Sequence, residues 1–504
     1  MAKGKSARAA SPADEATPLR ATAFWAPHAW VGNRWHEAVL LRIGADGNWS
    51  QVQTRVAVPP DATVLDGPAL PGLVNAHSHA FQRAFAGLAE RRSLEQDDFW
   101  GWRDRMYRVA LRIDPEQQQA IAAQLFLELV RGGFTQVCEF HYLHNAMDGS
   151  AYLRDPICMA RALVAATQEV GVGLTLLPAL YERAGFSQPT LREDQRRFRA
   201  NAEAILEMHD SLRALADETN RASAARLLQV GLALHSLRAV TAKGIEQITT
   251  QTTDAPIHIH IAEQPQEVED CLSSTGLRPI EWLHRNAALD RRWQLVHAID
   301  SSPGEADTIA QCGTGVVLCP STEANLGDGV TDLTGWLKRG VPLSLGSDSQ
   351  VTRSAMEELR LLEYAQRLTK RVRCVAAAPQ QQQPSAAERL WSQVLDGGGR
   401  AAGFALWGLQ VGARADLLVV DCATSALLGI PIAHTLDALI FSSPVRPFRD
   451  ILIAGRWVTR NHRAQKGQAI GKRFVQAMQQ IWPDTHGAQV LGAVRRGHRP
   501  LISG

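Results

Sequence analysis

Imidazoles and carboxylates recur at the ends of short apolar runs in this chain. His77-Ser78-His79 closes the run PGLVNAHSH (71–79). Residues i and i+2 of a strand point to the same side, so two imidazoles placed this way can share one metal ion. The run PIHIHIAE (256–263) carries His258 and His260, with Glu263 three positions beyond the second. His260 and Glu263 can reach a common point where the strand breaks into its loop. His258 lies two positions deeper and can share that face, so spacing alone leaves the choice between the two imidazoles open. WQLVHAI (293–299) places His297 at a strand end, and VPLSLGSD (341–348) ends in Ser347-Asp348.

These residue types define a chemistry. Three imidazoles and a carboxylate suit a borderline-soft zinc ion that keeps one open position for water. Zinc lowers the pKa of such a water to about 7. Glu263 is then a proton shuttle that need not bind the metal. Asp348 can ligate zinc and take the proton of the attacking water, and His297 can polarise the electrophile or stabilise developing charge. Taken alone, one HxH pair is a weak signal. Its weight comes from the other groups falling at the ends of equivalent runs.

Those runs form a series. Between residues 71 and 348 there are eight apolar, strand-like stretches: 71–79, 134–142, 173–181, 227–236, 256–263, 293–299, 314–322 and 341–348. Amphipathic stretches such as PEQQQAIAAQLFLELVRGG (115–133) separate them, which is the signature of parallel βα units. Eight units predict an α/β fold, a closed (β/α)8 TIM-like barrel whose C-terminal strand ends carry the site. Residues 22–70 are rich in short strands, and the texture returns in ADLLVVD (415–421), DALIFSS (437–443) and ILIAGRWVTRN (451–461). The expected organisation is a tail over 1–21, a barrel over 71–404, and a small β-sandwich-like domain built from 22–70 plus 405–470. A C-terminal helix and tail follow over 471–504. The stretch AAAPQQQQPSAAE (376–388) reads as a surface loop.

Composition narrows the function classes. The 504 residues carry 53 basic and 51 acidic side chains, a net charge of +2. Bulk charge therefore gives no reason to expect nucleic acid or a membrane surface as partner. No apolar run is long enough to span a bilayer. Seven cysteines are scattered without a CxxC pair, which points to a reducing compartment. The N-terminus is basic but has no apolar signal core. Together these features predict a cytoplasmic protein.

The sequence resembles the amidohydrolase superfamily over roughly residues 60–460, on PGLVNAHSHAFQRAFAGL (71–88), HIHIAE (258–263), LVHAI (295–299) and LGSD (345–348). More specific stretches are FWGWRDRMY (99–107), EFHYLH (139–144), ALHSLRAV (233–240), HIAEQPQEVEDC (260–271) and CPSTEANLGDG (319–329). Through these it is most similar to the formimidoylglutamate deiminase branch. The resemblance implies His77, His79, His260 and Asp348 as ligands of one zinc per chain, with His258 in a supporting place. It implies Glu263, His297 and Asp348 as catalytic residues, and Gln82, Arg103, Tyr142, His235 and Arg238 as substrate-binding residues. It also implies a homodimer and the hydrolysis of N-formimino-L-glutamate.

The residues themselves support one part of that list. A dicarboxylate needs local cations in a chain of near-zero net charge, and the guanidinium fork binds carboxylates in a bidentate way. Arg103 follows the aromatic cluster Phe99-Trp100-Gly101-Trp102, and Arg238 lies two residues after the fourth run. A purine-like ring would call for stacking groups and ring-edge donors in place of two arginines. A silent metal-binding scaffold would have no use for Glu263, His297 and Asp348. None of the eight runs contains Lys, so a bridging modified lysine is not expected and a single metal is; Lys243 falls in the helix after the fourth run. The segment 319–329, with Glu323 and Asn325, can border the site but has no assigned role.

Overall fold

A computed structural model describes residues 22–91, 99–223, 225–442 and 444–483. The expected tails over 1–21 and beyond 483 lie outside the described residues.

All eight runs form strands of one parallel barrel. We label them β1 (Leu73–Ser78), β2 (Phe134–His141), β3 (Gly173–Leu180), β4 (Leu232–Ser236), β5 (Ile257–Ile261), β6 (Trp293–His297), β7 (Gly315–Leu318) and β8 (Leu343–Leu345). The ring closes where Leu345 of β8 pairs with Asn75 of β1, and where β4 pairs with β3 through Ala233–Ala179 and Leu234–Leu180. Every residue of these strands is buried. This is why the runs read as continuously apolar and not alternating: a barrel strand is covered by helices on one side and by the packed interior on the other.

The fourth run departs from expectation by splitting. Leu228–Val230 is a separate short strand beside β3, and β4 begins at Leu232. Gly231 marks the break. A Cβ there would lie 2.6 Å from Leu177 Cδ2 and 2.7 Å from the Pro256 carbonyl, so only glycine lets the chain pass.

Helices cross over between the strands as the periodicity predicts. Pro115–Arg131 starts at a capping box in which Asp114 accepts from the Gln117 N–H and Gln117 accepts from the Asp114 N–H. Its apolar face, including Ile121, Leu125, Phe126 and Leu129, is buried against the barrel. Lys243 lies in the helix Ala242–Gln251, as expected. Residues 379–384 are an exposed turn, and helix Ala386–Ala401 begins within the low-complexity stretch.

The flanking unit is one mixed eight-stranded sheet drawn from both ends of the chain. Its order is Arg456–Thr459, Phe448–Ile453, Leu417–Val420, Ala69–Leu70, Ala23–Val31, Arg34–Ile43, Trp49–Gln53, with Ala62–Val64 also pairing with Ala23–Val31. Leu417–Val420 runs antiparallel to Ala69–Leu70, directly ahead of β1, so the sheet ties the two ends together at the barrel. Arg414 links the units: it pairs with Asp416 at 2.7 Å and donates to the Gln136 side chain and the Thr135 carbonyl at the foot of β2.

One expected strand is a helix. DALIFSS overlaps helix Thr435–Phe441. Leu436, Leu439 and Ile440 are its buried residues at i, i+3 and i+4, packed toward helices Ala355–Lys370 and Ala386–Ala401. That is helical spacing, obscured by the four consecutive apolar residues Ala438 to Phe441. Gly467–Ile481 forms the expected late helix. No helix among the described residues is long and apolar enough to cross a membrane.

Candidate active site

The strand ends deliver their polar residues to one point. His77 and His79 leave β1 together, their ring centroids 4.6 Å apart. The His77 Nε2 lies 3.0 Å from the Nε2 of His260, at the end of β5. Asp348, just past β8, places Oδ1 3.4 Å from the Nε2 of both His77 and His79. His297 ends β6 with Nε2 3.7 Å from Glu263 Oε1 and 3.7 Å from Asp348 Oδ2. All six side chains are buried. The backbone turns sharply to do this. His297 has φ 71° and Asp348 φ 45°, left-handed values that non-glycine residues adopt at a cost and that cluster at functional sites. Gly346 allows close packing on His77, since a Cβ there would sit 2.6 Å from His77 Cβ.

The cluster fits a metal ion on its own chemistry. The Nδ1 of His79 donates to the Phe140 carbonyl at 3.0 Å, and the Nδ1 of His260 to the His235 carbonyl at 2.8 Å. Both rings therefore turn an Nε2 lone pair to the shared point, the usual arrangement for ligating histidines. Burial pushes the His77 imidazole down to about 3 and also lowers His79 and His260, so all three are neutral donors at pH 7. The His77 and His260 Nε2 atoms, 3.0 Å apart, are close enough to share one cation. Among the described residues three groups could hold a metal: His77, His79 and His260; His77, His297 and Asp348; and His297, Cys319 and Glu323; the first two share His77.

The two imidazoles of β5 lie apart in space, and His260 is the one beside His77. His258 is turned to the Ala401 carbonyl at 2.9 Å, a layer deeper, and does not join the cluster. No barrel strand carries a lysine.

The cavity over this cluster is lined by Gln82, Arg103, Tyr142, His235 and Arg238, the five expected substrate-binding positions. Gln82 sits in the turn Ala80–Ala84 after β1 and donates to Tyr142 Oη at 3.1 Å. His235 ends β4, its ring 4.3 Å from that of Tyr181. Arg238 follows β4 with Nη1 3.6 Å from the buried Glu267 carboxylate. Arg103 projects from helix Phe99–Ala110, with its guanidinium 4.4 Å from the Trp100 ring. The buried Arg103 Nε and Arg238 Nη1 have no hydrogen-bond partner. The two guanidiniums share the face of Trp100, since Arg238 lies 5.7 Å from the same ring.

Electrostatics raise both proton-handling groups. Burial lowers His297, but the carboxylates of Glu263, Glu323 and Asp348 outweigh it and push the imidazole up to about 10. Burial raises Glu263 above the ordinary carboxyl range. Both groups are pushed upward, and shifted ionisable groups gathered in one cavity are the usual mark of a functional site.

Several neighbours have no counterpart in the sequence reading. Glu267 pairs with Arg238; it lies one helical turn beyond Glu263, a spacing that could have signalled it. Tyr181 lies just past β3, as Tyr142 lies just past β2, and the strand-end rule would have found it. Met106, Tyr107 and Leu326 also line the cavity. Glu323, noted without a role, lies 3.4 Å from the far nitrogen of His297, whereas Asn325 points outward to Glu90.

Comparison with known proteins agrees with this geometry. The chain is 42% identical over 466 residues to formimidoylglutamate deiminase of Pseudomonas aeruginosa, covering 91% of this chain and 99% of that one. A crystal structure of an amidohydrolase from Brucella melitensis superposes with a TM-score of 0.85 at 37% identity, over 91% of this chain and 99% of that one. An adenosine deaminase from Xanthomonas campestris with bound zinc has the same fold, with a TM-score of 0.74 at 22% identity over 92% and 98% of the two chains. The model of the amidohydrolase family matches residues 69–458, from the last strand before the barrel to the last strand of the flanking sheet, and the chain belongs to that family.

Proposed function

We propose that this protein is a deaminase that hydrolyses N-formimino-L-glutamate to N-formyl-L-glutamate and ammonia. The observation that carries the reading is the pair of guanidiniums, half-buried Arg103 and buried Arg238, each with an N–H that makes no hydrogen bond in the wall of a cavity floored by the histidine–aspartate cluster. Two such cations suit a small substrate with two carboxylates. The likeness to the Pseudomonas deiminase supports the same substrate. Phe99, Trp102 and Tyr107 in that wall would also suit a planar ring, but a neutral ring offers neither guanidinium a carboxylate to bind.

His77, His79, His260 and Asp348 would hold one zinc ion per chain. Bound there, zinc supplies the Lewis acidity that makes water nucleophilic near neutral pH. The protein's own groups do the rest. Arg103 and Arg238 hold the two carboxylates, helped by Gln82, Tyr142 and His235, and so fix the formimino carbon over the cluster. Asp348 accepts a proton as the water oxygen bonds to that carbon. His297, with Nε2 beside Glu263 and Asp348, donates to the atom on which charge develops. Glu263 carries a proton to the departing nitrogen, the C–N bond breaks, and ammonia leaves.

A substrate with one carboxylate amidated tests the reading. It should lose about 10- to 100-fold in kcat/KM, since a charge-assisted hydrogen bond contributes roughly 1.5–3 kcal/mol and each decade is about 1.4 kcal/mol. Equal turnover of the amidated and free substrates would defeat the dicarboxylate assignment. Metal analysis should give one zinc per chain; two in the site, bridged by a modified lysine, would defeat the single-metal reading.

A further inference from the structure

We propose that Glu323 is a positioning residue for His297: its carboxylate accepts the imidazole Nδ1–H and holds the ring with Nε2 turned to the reacting atoms. The proposal rests on the reading of His297 as the group that meets the substrate, and it gives the 319–329 segment a role. Glu323 lies on the short helix Pro320–Leu326 that follows β7. It is buried, with Oε1 3.4 Å from His297 Nδ1.

The carboxylate is itself fixed. The same Oε1 accepts the Cys319 N–H at 2.9 Å. The Glu323 backbone is pinned at both ends: its N–H donates to the Cys319 carbonyl at 3.0 Å, and its carbonyl accepts from the Asp328 N–H at 2.9 Å. An anchored acceptor can impose an orientation on a ring, which a free one cannot.

The contrast with the other site imidazoles sharpens the point. His79 and His260 place Nδ1 on backbone carbonyls, those of Phe140 and His235. The Nδ1 of His297 has a carboxylate instead. An ionised acceptor binds an N–H about twice as strongly as a neutral one. His297 also needs more restraint, because its backbone is left-handed at φ 71° and its Nε2 stands 3.7 Å from two carboxylates without close contact to either. Without an acceptor behind it, the ring can turn and present the wrong nitrogen. Outer partners of this kind are typically worth about 10–100-fold in activity.

Two arms test the proposal. In the first, the wild-type, zinc-loaded protein carries 15N-labelled histidine, and the His297 signal is identified by its loss in His297→Asn. Nδ1 should carry a proton; an unprotonated Nδ1 overturns the proposal. This arm needs no substrate, so an unprotonated Nδ1 counts against Glu323 even if formiminoglutamate proves to be the wrong substrate. In the second, Glu323→Ala should lower kcat about 10- to 100-fold with KM and zinc content unchanged. Glu323→Gln, which keeps an acceptor oxygen in place and preserves the fold if the alanine variant does not, should recover part of the loss. Turnover of Glu323→Ala within twofold of wild type, a loss confined to KM or to metal content, or a glutamine variant no better than alanine would each overturn it.

Discussion

Replacing Arg103 and Arg238 in turn by Met should weaken catalysis alike and stability very differently. Each change removes one charge-assisted contact to a substrate carboxylate, roughly 1.5–3 kcal/mol, so kcat/KM for formiminoglutamate should fall about 10- to 100-fold in both. The stability cost follows from what each arginine leaves behind. The acidic neighbour of Arg103 is Asp104, at 4.0 Å with its side chain 47% exposed, and a pair of that kind contributes less than about 1 kcal/mol. Arg238 instead faces Glu267, whose side chain is fully enclosed. Burial already pushes the Glu267 carboxyl up to about 7, against the opposing pull of Arg238. With Arg238 gone its folded pKa rises further, and the folded state holds a proton that the unfolded state releases. Stability of Arg238→Met should therefore fall as pH rises above the unfolded carboxyl value of 4.5, by up to about 1.4 kcal/mol per pH unit, until the folded pKa is passed. Adding Glu267→Gln should flatten that dependence without restoring kcat/KM. Thermal melts across pH 5 to 9, beside kinetics at one pH, separate the two effects. The reasoning fails if Arg103→Met unfolds as readily as Arg238→Met, or if Glu267→Gln restores turnover.

Glu263→Gln should keep its zinc but lose about 10²–10⁴-fold in kcat, because an amide cannot carry the proton; normal turnover would leave Glu263 a structural role only. His260→Ala should lose metal and activity together, whereas His258→Ala should keep its zinc and lose only stability, as read by metal analysis beside a thermal melt. Glu358, buried and accepting from the Ser321 N–H and hydroxyl, is pushed by burial up to about 8 from 4.5. The stability tied to its protonated form is complete below the unfolded value and is lost as pH rises through about 8. Glu358→Gln should therefore flatten the alkaline side of the stability profile, and an unchanged profile would refute that origin.

The barrel was legible because each of its strands is covered on both sides and so appears as an uninterrupted apolar run ending in a polar group. The site was legible for the same reason: HSH, HIHIAE, LVHAI and LGSD all occupy strand ends. Depth within the barrel was not legible. His258 and His260 share a parity, and only packing against Ala401 shows that His258 lies a layer below the cluster. Local periodicity failed at 437–443, where four adjacent apolar residues hid a helical spacing that tertiary packing uses. The neighbours supplied across the fold were invisible for a different reason. Glu323 reaches His297 from the next strand's loop, and Glu267, whose spacing from Glu263 is its one local mark, reaches Arg238 from a helix after β5, so the sequence shows neither pairing.

Ammonia release by the purified, zinc-loaded protein tests the central claim most directly, with formiminoglutamate measured beside guanine and adenosine. The account predicts that formiminoglutamate alone is turned over, yielding one ammonia for each N-formylglutamate formed. Release from a purine with none from formiminoglutamate would contradict it.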